Sequence, residues 1–227
     1  MARRREILVT GEIYHVFNKT IESKEVFSDK VAINLFLQLI SYYKSTKSTL
    51  SFSKLKLIDN QIKEQILKKV KNKKYFKVEV LCFCLMPTHF HFLLRQKMDK
   101  GMEKFISDII NSFTKTFNLI NERVGPIFLP RFKAVRIKKE EQSKHVLRYI
   151  HLNPYSSELV NNFEELLKYN CSSIRDYVEK SKIHGFVDRE FFLRMFDRNR
   201  ERLKKFMFDR ADYQKILETI KYTKKFT

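Results

Sequence analysis

Two histidines stand one residue apart in the segment 81–96, which reads LCFCLMPTHFHFLLRQ. Large apolar residues surround His89 and His91, and Pro87 cannot occupy the middle of a sheet, so the pattern predicts a strand entered from a tight turn. Alternate residues of a strand point to the same face, which places the two imidazoles side by side. Two neutral imidazoles on a stiff strand are suited to a divalent metal ion. The alternative is a pair of half-buried polar residues on a sheet.

A second pair of polar residues precedes Pro154 on a predicted helix. Tyr149 and Asn153 are four residues apart and therefore share a helix face. The carboxamide oxygen of Asn153 is a hard ligand suited to Mg²⁺ or Mn²⁺. The Tyr149 hydroxyl, one turn away, could attack a phosphate polarised by that ion. Without the two-histidine strand, the preferred interpretation would be a packing role for Tyr149 and a turn-forming role for Asn153.

Tyrosine needs help to act as a nucleophile at neutral pH, because its ordinary pKa is about 10. A metal ion that stabilises charge on the phosphate, together with a base, would supply that help. His145 lies four residues before Tyr149 and could serve as the base, although a solvated polar position is the simpler interpretation. His151 follows Tyr149 by two residues, so we expect it to point away and exclude it as the base.

The chain of 227 residues is strongly basic, with a net charge of +20 and a pI near 9.8. Such a charge favours polyanions, nucleic acid before a membrane surface, unless it only reflects a lysine-rich proteome. Arg131, Lys133 and Arg136 form a short basic run that could hold phosphates, while aromatic side chains stack on unpaired bases. A solvated surface is the alternative for this run.

Cysteine usage indicates a reducing compartment. Three cysteines, an odd number, provide no disulfide framework. The N-terminal sequence MARRREILV lacks the long apolar region of a signal peptide, and no apolar run approaches the length of a membrane span. We therefore expect a cytoplasmic protein without a membrane partner.

A structural zinc site is a competing interpretation of the two histidines. The spacing CxC-x₄-HxH brings together Cys82, Cys84, His89 and His91 across the predicted hairpin. A two-residue loop would place Cys84 opposite His91. Both cysteines also fit an ordinary apolar strand, so the pattern leaves this alternative open.

The predicted elements follow the order β-α-β-β-α-β-α. The strands are 12–19, 75–86, 89–96 and 131–139, and the helices are 29–45, 102–123 and 140–153, the last of which stops at Pro154. This order predicts an α+β protein with a ferredoxin-like antiparallel sheet and helices on one face. The other face of such a sheet would stay open for a substrate.

Two further segments surround this core. Residues 46–74 interrupt the pattern as an insertion with an amphipathic helix near 59–71. We assign residues 1–155 to one domain and residues 156–227 to a basic helical C-terminal extension. Within the extension we expect a helix at 161–169, a turn at CSSIRDY, one or two further helices and an amphipathic basic tail. Whether the extension is an independent domain is left open.

Four ordered motifs carry a resemblance to a known family. LMPTHFHFLL, GPIFLPRFKAVRI, LRYIHLNP and CSSIRDY resemble those of the single-tyrosine HUH transposases, and among these the REP-associated tyrosine transposases. YHVFNK is similar to that family's first strand, so the resemblance covers about residues 11–177. The sequence departs from the family at Thr88, where Asn is usual, at Asn18-Lys19, where Thr-x-Arg is common, and in its long insertion.

The resemblance implies a role for each residue of the candidate site. His89 and His91 would bind Mg²⁺ or Mn²⁺ with Asn153 as third ligand, and Tyr149 would be the nucleophile. Members of the family cut single-stranded DNA, usually beside a hairpin, and leave a 5′-phosphotyrosine and a free 3′-OH. A second strand's 3′-OH can reverse this step and rejoin the DNA.

A non-catalytic protein that binds single-stranded nucleic acid is the rival function, either as a domesticated transposase or as an RRM-like module. The sequence has no K/R-G-F/Y-G/A-F pattern, which speaks against an RRM. Retention of all four candidate site residues speaks against domestication. A monomer and a homodimer are both compatible with the sequence.

Overall fold

A four-stranded antiparallel sheet forms the centre of the computed structural model, which describes residues 7–180, 182–209 and 211. The strands are β1 (Ile13–Lys19), β2 (Val78–Met86), β3 (His89–Gln96) and β4 (Lys133–Ile137), in the spatial order β2-β3-β1-β4. The predicted α+β sheet is thus confirmed. Strand β2 begins later than predicted because residues Lys73–Tyr75 form a 3₁₀ turn.

Nine α-helices lie in the described part of the chain. They are α1 (Lys30–Tyr43), α2 (Phe52–Leu55), α3 (Asn60–Lys71), α4 (Gly101–Ile120), α5 (Glu140–Ser156), α6 (Phe163–Lys168), α7 (Ile174–Val178), α8 (Glu190–Met195) and α9 (Arg200–Phe208). Asp29 caps α1, near the predicted start of the 29–45 helix, by accepting hydrogen bonds from the backbone N–H groups of Val31 and Ala32. Within the described residues, no helix has both the length and the apolarity needed to cross a bilayer.

Helices α1 and α4 cover one face of the sheet through an aromatic core. Phe36 of α1 lies 5.5 Å from Phe90 of β3 between ring centroids, and 5.2 Å from Phe113 of α4. Phe92 contacts Phe105 of α4 at 6.3 Å. The aromatic side chains of α4 therefore belong to the core, and the two crossover helices share one face as predicted.

Helix α5 lies over the opposite face of the sheet, which we had expected to stay open. Leu147, Ile150 and Leu152 of α5 are fully buried. A helix can bury this much apolar surface only against another element, and α5 packs across β2, β3 and β4. The alternation of the strands could not reveal this, because it defines two faces without saying what covers each.

The end of α5 differs from the prediction, which stopped the helix at Pro154. The helix continues to Ser156 with Pro154 inside it. Proline removes one backbone donor, yet the last turn is closed beyond it by the Ser157 N–H, which donates to the Asn153 carbonyl at 3.0 Å. Asn153 therefore lies within the helix and not at its end.

The insertion is closed at its base by backbone contacts. Ser45 and Phe76 form an antiparallel bridge, and the Thr46 N–H donates to the Tyr75 carbonyl at 2.7 Å. The predicted amphipathic helix is α3, capped by Asp59. The 46–74 segment is thus a helical insertion whose two ends lie next to each other.

Residues beyond α5 pair with the outer edge of β2. The Leu85 N–H donates to the Cys171 carbonyl at 2.7 Å, and the Ser173 N–H donates to the Phe83 carbonyl at 3.0 Å. The predicted turn at CSSIRDY is therefore an edge pairing followed by α7, a short helix that the Ser-rich start of the segment concealed. Two helices, α8 and α9, follow as expected. The amphipathic tail and the first six residues of the basic arm lie outside the described residues, and the domain boundary at residue 155 stays a prediction.

Candidate active site

The pairing of β1 with β3 places three histidines on one face of the sheet. His89 and His91 lie side by side with ring centroids 5.0 Å apart, opposite in direction to the buried Phe90. His91 is paired with Phe17 of β1, and His15 lies two residues before Phe17 on the same face. We call the surface that carries His15, His89 and His91 the histidine face.

His15 is a member of the site that our sequence interpretation did not include. Its Nε2 lies 2.9 Å from Nδ1 of His91, and the two rings stack at 5.1 Å. The sequence placed His15 on the same face as Phe17 without showing which strand lies beside it. The ferredoxin-like strand order, which puts β1 next to β3, was the signal that could have found it.

The environment keeps two of these histidines neutral. Burial lowers the pKa of His15 to about 4. Burial also lowers the pKa of His91 well below its usual value, with further contributions from His15, His89 and Lys19. Neutral imidazole is the form that binds a metal ion, so at pH 7 this face suits coordination.

Tyr149 reaches the histidine face from α5. Its half-buried ring lies edge-on to both His15 and His91, with centroid distances of 5.8 Å in each case. The burial of the apolar side of α5 against the sheet fixes this approach. The fold therefore brings the predicted nucleophile against the predicted metal-binding strand, although the two are more than fifty residues apart.

Asn153 lies one turn beyond Tyr149 on the same side of α5 and is 6% exposed. Its Nδ2 atom is buried and has no hydrogen-bond partner. A buried amide without a partner is costly and rare, and rotation about the last side-chain torsion would present the amide oxygen instead. The carboxamide therefore fits a ligand position for a hard metal ion.

The structure argues against the zinc alternative. Among the described residues, no group of three or more His, Cys, Asp or Glu side chains could hold a metal ion. Cys84 does lie opposite His91 in the register, as the two-residue loop predicted. Burial raises the pKa of both Cys82 and Cys84, which disfavours the thiolates that zinc requires. An ion at this site would need an amide ligand such as Asn153.

The predicted basic run is divided between the two faces of the sheet. Lys133 pairs with Phe17 on the histidine face, and its Nζ lies 6.0 Å from the Phe17 ring centroid. Arg136 projects to the other face and forms an ion pair with Glu12 at 2.6 Å. Arg131 is exposed in the loop before β4. Lys19, exposed and paired with His89, is a further cation on the histidine face.

The two histidines of α5 make contacts outside the histidine face. His145 is exposed, with Nδ1 2.8 Å from Arg148, and its ring approaches Phe206 of α9. His151 is fully buried, with Nε2 2.8 Å from the Ser173 hydroxyl, and burial lowers its pKa to about 3. The exclusion of His151 as the base therefore agrees with its position, and His145 belongs to the contact with α9.

The chain thus has a ferredoxin-like sheet with paired histidines on one strand, and a tyrosine from a helix faces these histidines. Comparison with solved structures identifies a REP-associated tyrosine transposase bound to a REP hairpin, with a TM-score of 0.54 and 14% sequence identity. The match covers 82% of this chain and 90% of that one. The predicted resemblance is thereby confirmed at the level of the fold.

A second solved structure is more distant. It is a "putative transposase from deinococcus radiodurans r1", with a TM-score of 0.35, 16% identity, and coverage of 66% of this chain and 95% of that one. No protein-family model and no curated protein matches the sequence.

Proposed function

We propose that this protein cuts and rejoins single-stranded DNA, at or beside hairpin-forming sequences, through a covalent bond between a DNA 5′-phosphate and Tyr149. The observation that carries the proposal is the position of the Tyr149 ring against His91 and His15, 5.8 Å from each. The transposase of the same fold was solved with a REP hairpin bound. The net charge of +20 supports a polyanionic partner as well.

The proposed reaction exchanges one phosphodiester bond for another. The Tyr149 oxygen attacks the phosphorus, its proton passes to a base or to water, and the bond from phosphorus to the upstream 3′-oxygen breaks. The departing oxygen takes up a proton and becomes a free 3′-OH. The tyrosyl phosphodiester retains the energy of the phosphodiester bond that was broken. A 3′-OH from a second strand can therefore reverse the reaction and rejoin the DNA.

A divalent ion, Mg²⁺ or Mn²⁺, would be held by His89, His91 and Asn153. When bound, it would supply Lewis-acid stabilisation of charge on the phosphate. The chain's own contribution is to hold the imidazoles neutral and on one rigid strand. His15 would orient the His91 ring through the contact between Nε2 and Nδ1, as outer partners of metal-binding histidines commonly do.

Single-stranded DNA would cross the histidine face. Lys19, opposite His89, and Lys133, opposite Phe17, are exposed on this face and would hold phosphates. Phe17, between them, offers an aromatic surface for an unpaired base. We propose Arg131 as a further phosphate contact from the adjoining loop, and assign Arg136 mainly to its ion pair with Glu12.

The test uses the full-length chain and single-stranded DNA from the region beside its own gene, including a hairpin and its flanks. The oligonucleotide carries a label at its 3′ end, because the protein would retain the downstream fragment through its 5′-phosphate. With Mg²⁺ or Mn²⁺ we expect a labelled protein–DNA band that survives boiling in detergent. Mass spectrometry should map the adduct to the peptide that contains Tyr149.

Two tyrosine variants make the test specific. Tyr149→Phe removes one oxygen and should abolish both cleavage and the adduct while DNA binding persists. Tyr155→Phe is the matched control on the same helix, where the ring packs against Phe163 at 5.1 Å, and it should still form the adduct. A band that persists in Tyr149→Phe would refute the assignment of the nucleophile. DNA binding without cleavage under any metal condition would instead establish the non-catalytic alternative.

A further inference from the structure

A cavity of about 320 Å³ lies at the outer edge of the sheet, away from the histidine face. It is bounded by the end of α1, the end of α3, the first residues of β2 and the segment before α8. Four lysines line it: Lys44, Lys71, Lys73 and Lys182. We call it the lysine cavity. Two of its lysines belong to the insertion and one to the C-terminal extension, so three separate parts of the chain supply its charge.

Lys44 is the least ordinary member of this group, because it is only 4% exposed. Its Nζ lies 4.3 Å from the centroid of the Phe76 ring. Within the part of the chain that the structure describes, no carboxylate lies within ion-pair distance of this ammonium group and no side-chain hydrogen bond satisfies it. A lysine this buried is normally paired.

The carboxylates that line the cavity already have partners. Asp188 forms an ion pair with Lys73 at 3.2 Å. Glu79 forms ion pairs with Arg95 at 2.8 Å and with Lys97 at 3.2 Å. Among the described residues, this leaves three lysines of the cavity without a neutralising carboxylate.

The lysines act on one another electrostatically. Burial, followed by the charges of Lys182, Lys73 and Lys71, lowers the pKa of Lys44 to about 8, and Asp188 opposes the shift. Lys44 therefore remains mostly cationic at neutral pH while its charge is desolvated and repelled. An anion in the cavity would relieve both costs, because opposite charge favours the ammonium form.

The cavity lies within reach of DNA bound at the histidine face. Val80 lines the cavity, and Cys84, four residues further along β2, pairs with His91. Four strand residues span roughly 13 Å, which corresponds to about four nucleotides along one strand of a duplex. Every residue of β2 is buried and α5 packs over the strand, so a hairpin stem bound at the histidine face would bring its backbone phosphates to this edge over the outer surface of the protein.

We propose that the lysine cavity binds a phosphate group of the DNA backbone, and thus forms a second contact for the hairpin-bearing substrate. The identification of the ligand as DNA rests on the proposed function. The affinity of the cavity for phosphate does not depend on it. Three ammonium groups without a carboxylate partner would attract the DNA backbone, in which each phosphodiester carries one negative charge, and lysine is a common phosphate ligand. A free small phosphate has the same chemistry and is the other source to be tested.

The experiment compares two double variants with the same change in charge. Lys71→Gln/Lys182→Gln removes two cavity lysines, and Lys69→Gln/Lys180→Gln removes two exposed lysines, each two residues away in sequence and outside the cavity. One arm measures binding of a labelled DNA hairpin with a single-stranded flank by fluorescence anisotropy. The other measures binding of inorganic pyrophosphate by calorimetry. Circular dichroism melting confirms that both variants fold.

We expect the cavity variant to lose at least tenfold in hairpin affinity and to lose measurable pyrophosphate binding, and the control variant to change less than threefold in either arm. Loss in the hairpin arm alone also supports a backbone site. Loss in the pyrophosphate arm alone overturns the assignment to DNA and supports a small phosphate. Equal losses in the two variants, or no loss in either, overturn the lysine cavity as a phosphate site. Failure of the Tyr149 adduct would leave these binding results unaffected and would count only against the catalytic proposal.

Discussion

The contact between His15 and His91 constrains where their protons lie. Both rings are held neutral by burial, so the hydrogen bond between His15 Nε2 and His91 Nδ1 contains a single proton. If His91 binds a metal ion through Nε2, its Nδ1 must carry that proton and donate it to His15. His15 then carries its own proton on Nδ1. In that case His15 would be a positioning residue that fixes the tautomer and the orientation of the His91 ring.

Replacement of His15 should weaken metal binding without destroying the site. His15→Ala removes the acceptor for the His91 N–H, and outer-shell losses of this kind typically lower metal affinity about 10- to 100-fold. His15→Gln retains an acceptor oxygen and should recover part of that loss. Calorimetric titration with Mn²⁺ measures both. If His15→Ala and His15→Gln are equally impaired, the orienting role is wrong and the ring acts in some other way.

Lys133 and Arg136 should differ in their effect on DNA binding, because they lie on opposite faces of the sheet. If about five phosphates of single-stranded DNA are contacted, the log–log salt slope should lie near −3 to −4. Lys133→Gln should make the slope shallower by about 0.7, the contribution of one phosphate. Arg136→Gln, which breaks the ion pair with Glu12, should leave the slope unchanged. Anisotropy titrations over a range of salt concentrations measure both slopes, and equal changes would contradict this division.

At the scale of elements, α5 is held on the sheet by a buried hydrogen-bonded group as well as by apolar packing. The Ser173 hydroxyl lies 2.8 Å from His151 Nε2 and also accepts a hydrogen bond from the Phe83 N–H at 2.9 Å. One side chain thus connects the helix that carries Tyr149, the edge of β2 and the segment that pairs with it.

Ser173→Ala should therefore destabilise the fold by about 1–3 kcal/mol, the usual cost of leaving buried polar groups without a partner. Ser157→Ala is the matched control, because that exposed hydroxyl donates to the Asn153 carbonyl at 2.8 Å and approaches the Pro154 carbonyl at 3.4 Å, both at the end of α5. The control should change stability by less than about 0.5 kcal/mol, as is usual for surface substitutions. Urea denaturation gives both values. A Ser173→Ala protein as stable as the control would show that α5 is held by apolar packing alone.

The strands were predictable because alternation and turn residues act locally. The His89–Phe90–His91 spacing after Pro87 was enough to place two imidazoles on one face. The position of α5 was not predictable in the same way, because it depends on which buried surface the apolar side of the helix meets. Pro154 was misleading for a related reason, since its missing donor is tolerated where later residues close the turn. His15 required the strand order, which is a property of the whole sheet.

At the scale of the whole molecule, the lysine cavity places one almost fully buried cation, Lys44, beside three exposed lysines. The pKa of Lys44 falls from its ordinary value near 10.5 to about 8 on folding. Between these values the unfolded chain binds more protons than the folded one, so stability rises with pH across that window. Below pH 8 both states are protonated and the folded protein carries the full cost of the buried cation.

Lys44→Met should consequently make the free protein more stable at pH 7, by about 1–3 kcal/mol once the lost contact with the Phe76 ring is subtracted. The gain should shrink as the pH is raised toward 10, because Lys44 is then neutral in the folded protein. Lys47→Met is the control, since Lys47 also lies over an aromatic ring, that of Tyr75 at 4.5 Å, but is half-buried. Urea denaturation at pH 7 and pH 10 measures the differences. A Lys44→Met protein less stable than wild type at pH 7 would show that the buried ammonium stabilises the fold.

The backbone contacts at the base of the insertion also have an evolutionary consequence. Because Thr46 and Tyr75 already touch through their backbones, a two-residue turn could join them, and α2 and α3 could be gained or lost in one genetic event without rearranging the sheet. A chain shortened in this way, with polar residues substituted where α1 becomes exposed, should still form the Tyr149 adduct but lack Lys71 and Lys73. Lineages could then inherit the sheet and the Tyr149 site while exchanging the helices that supply two lysines of the cavity.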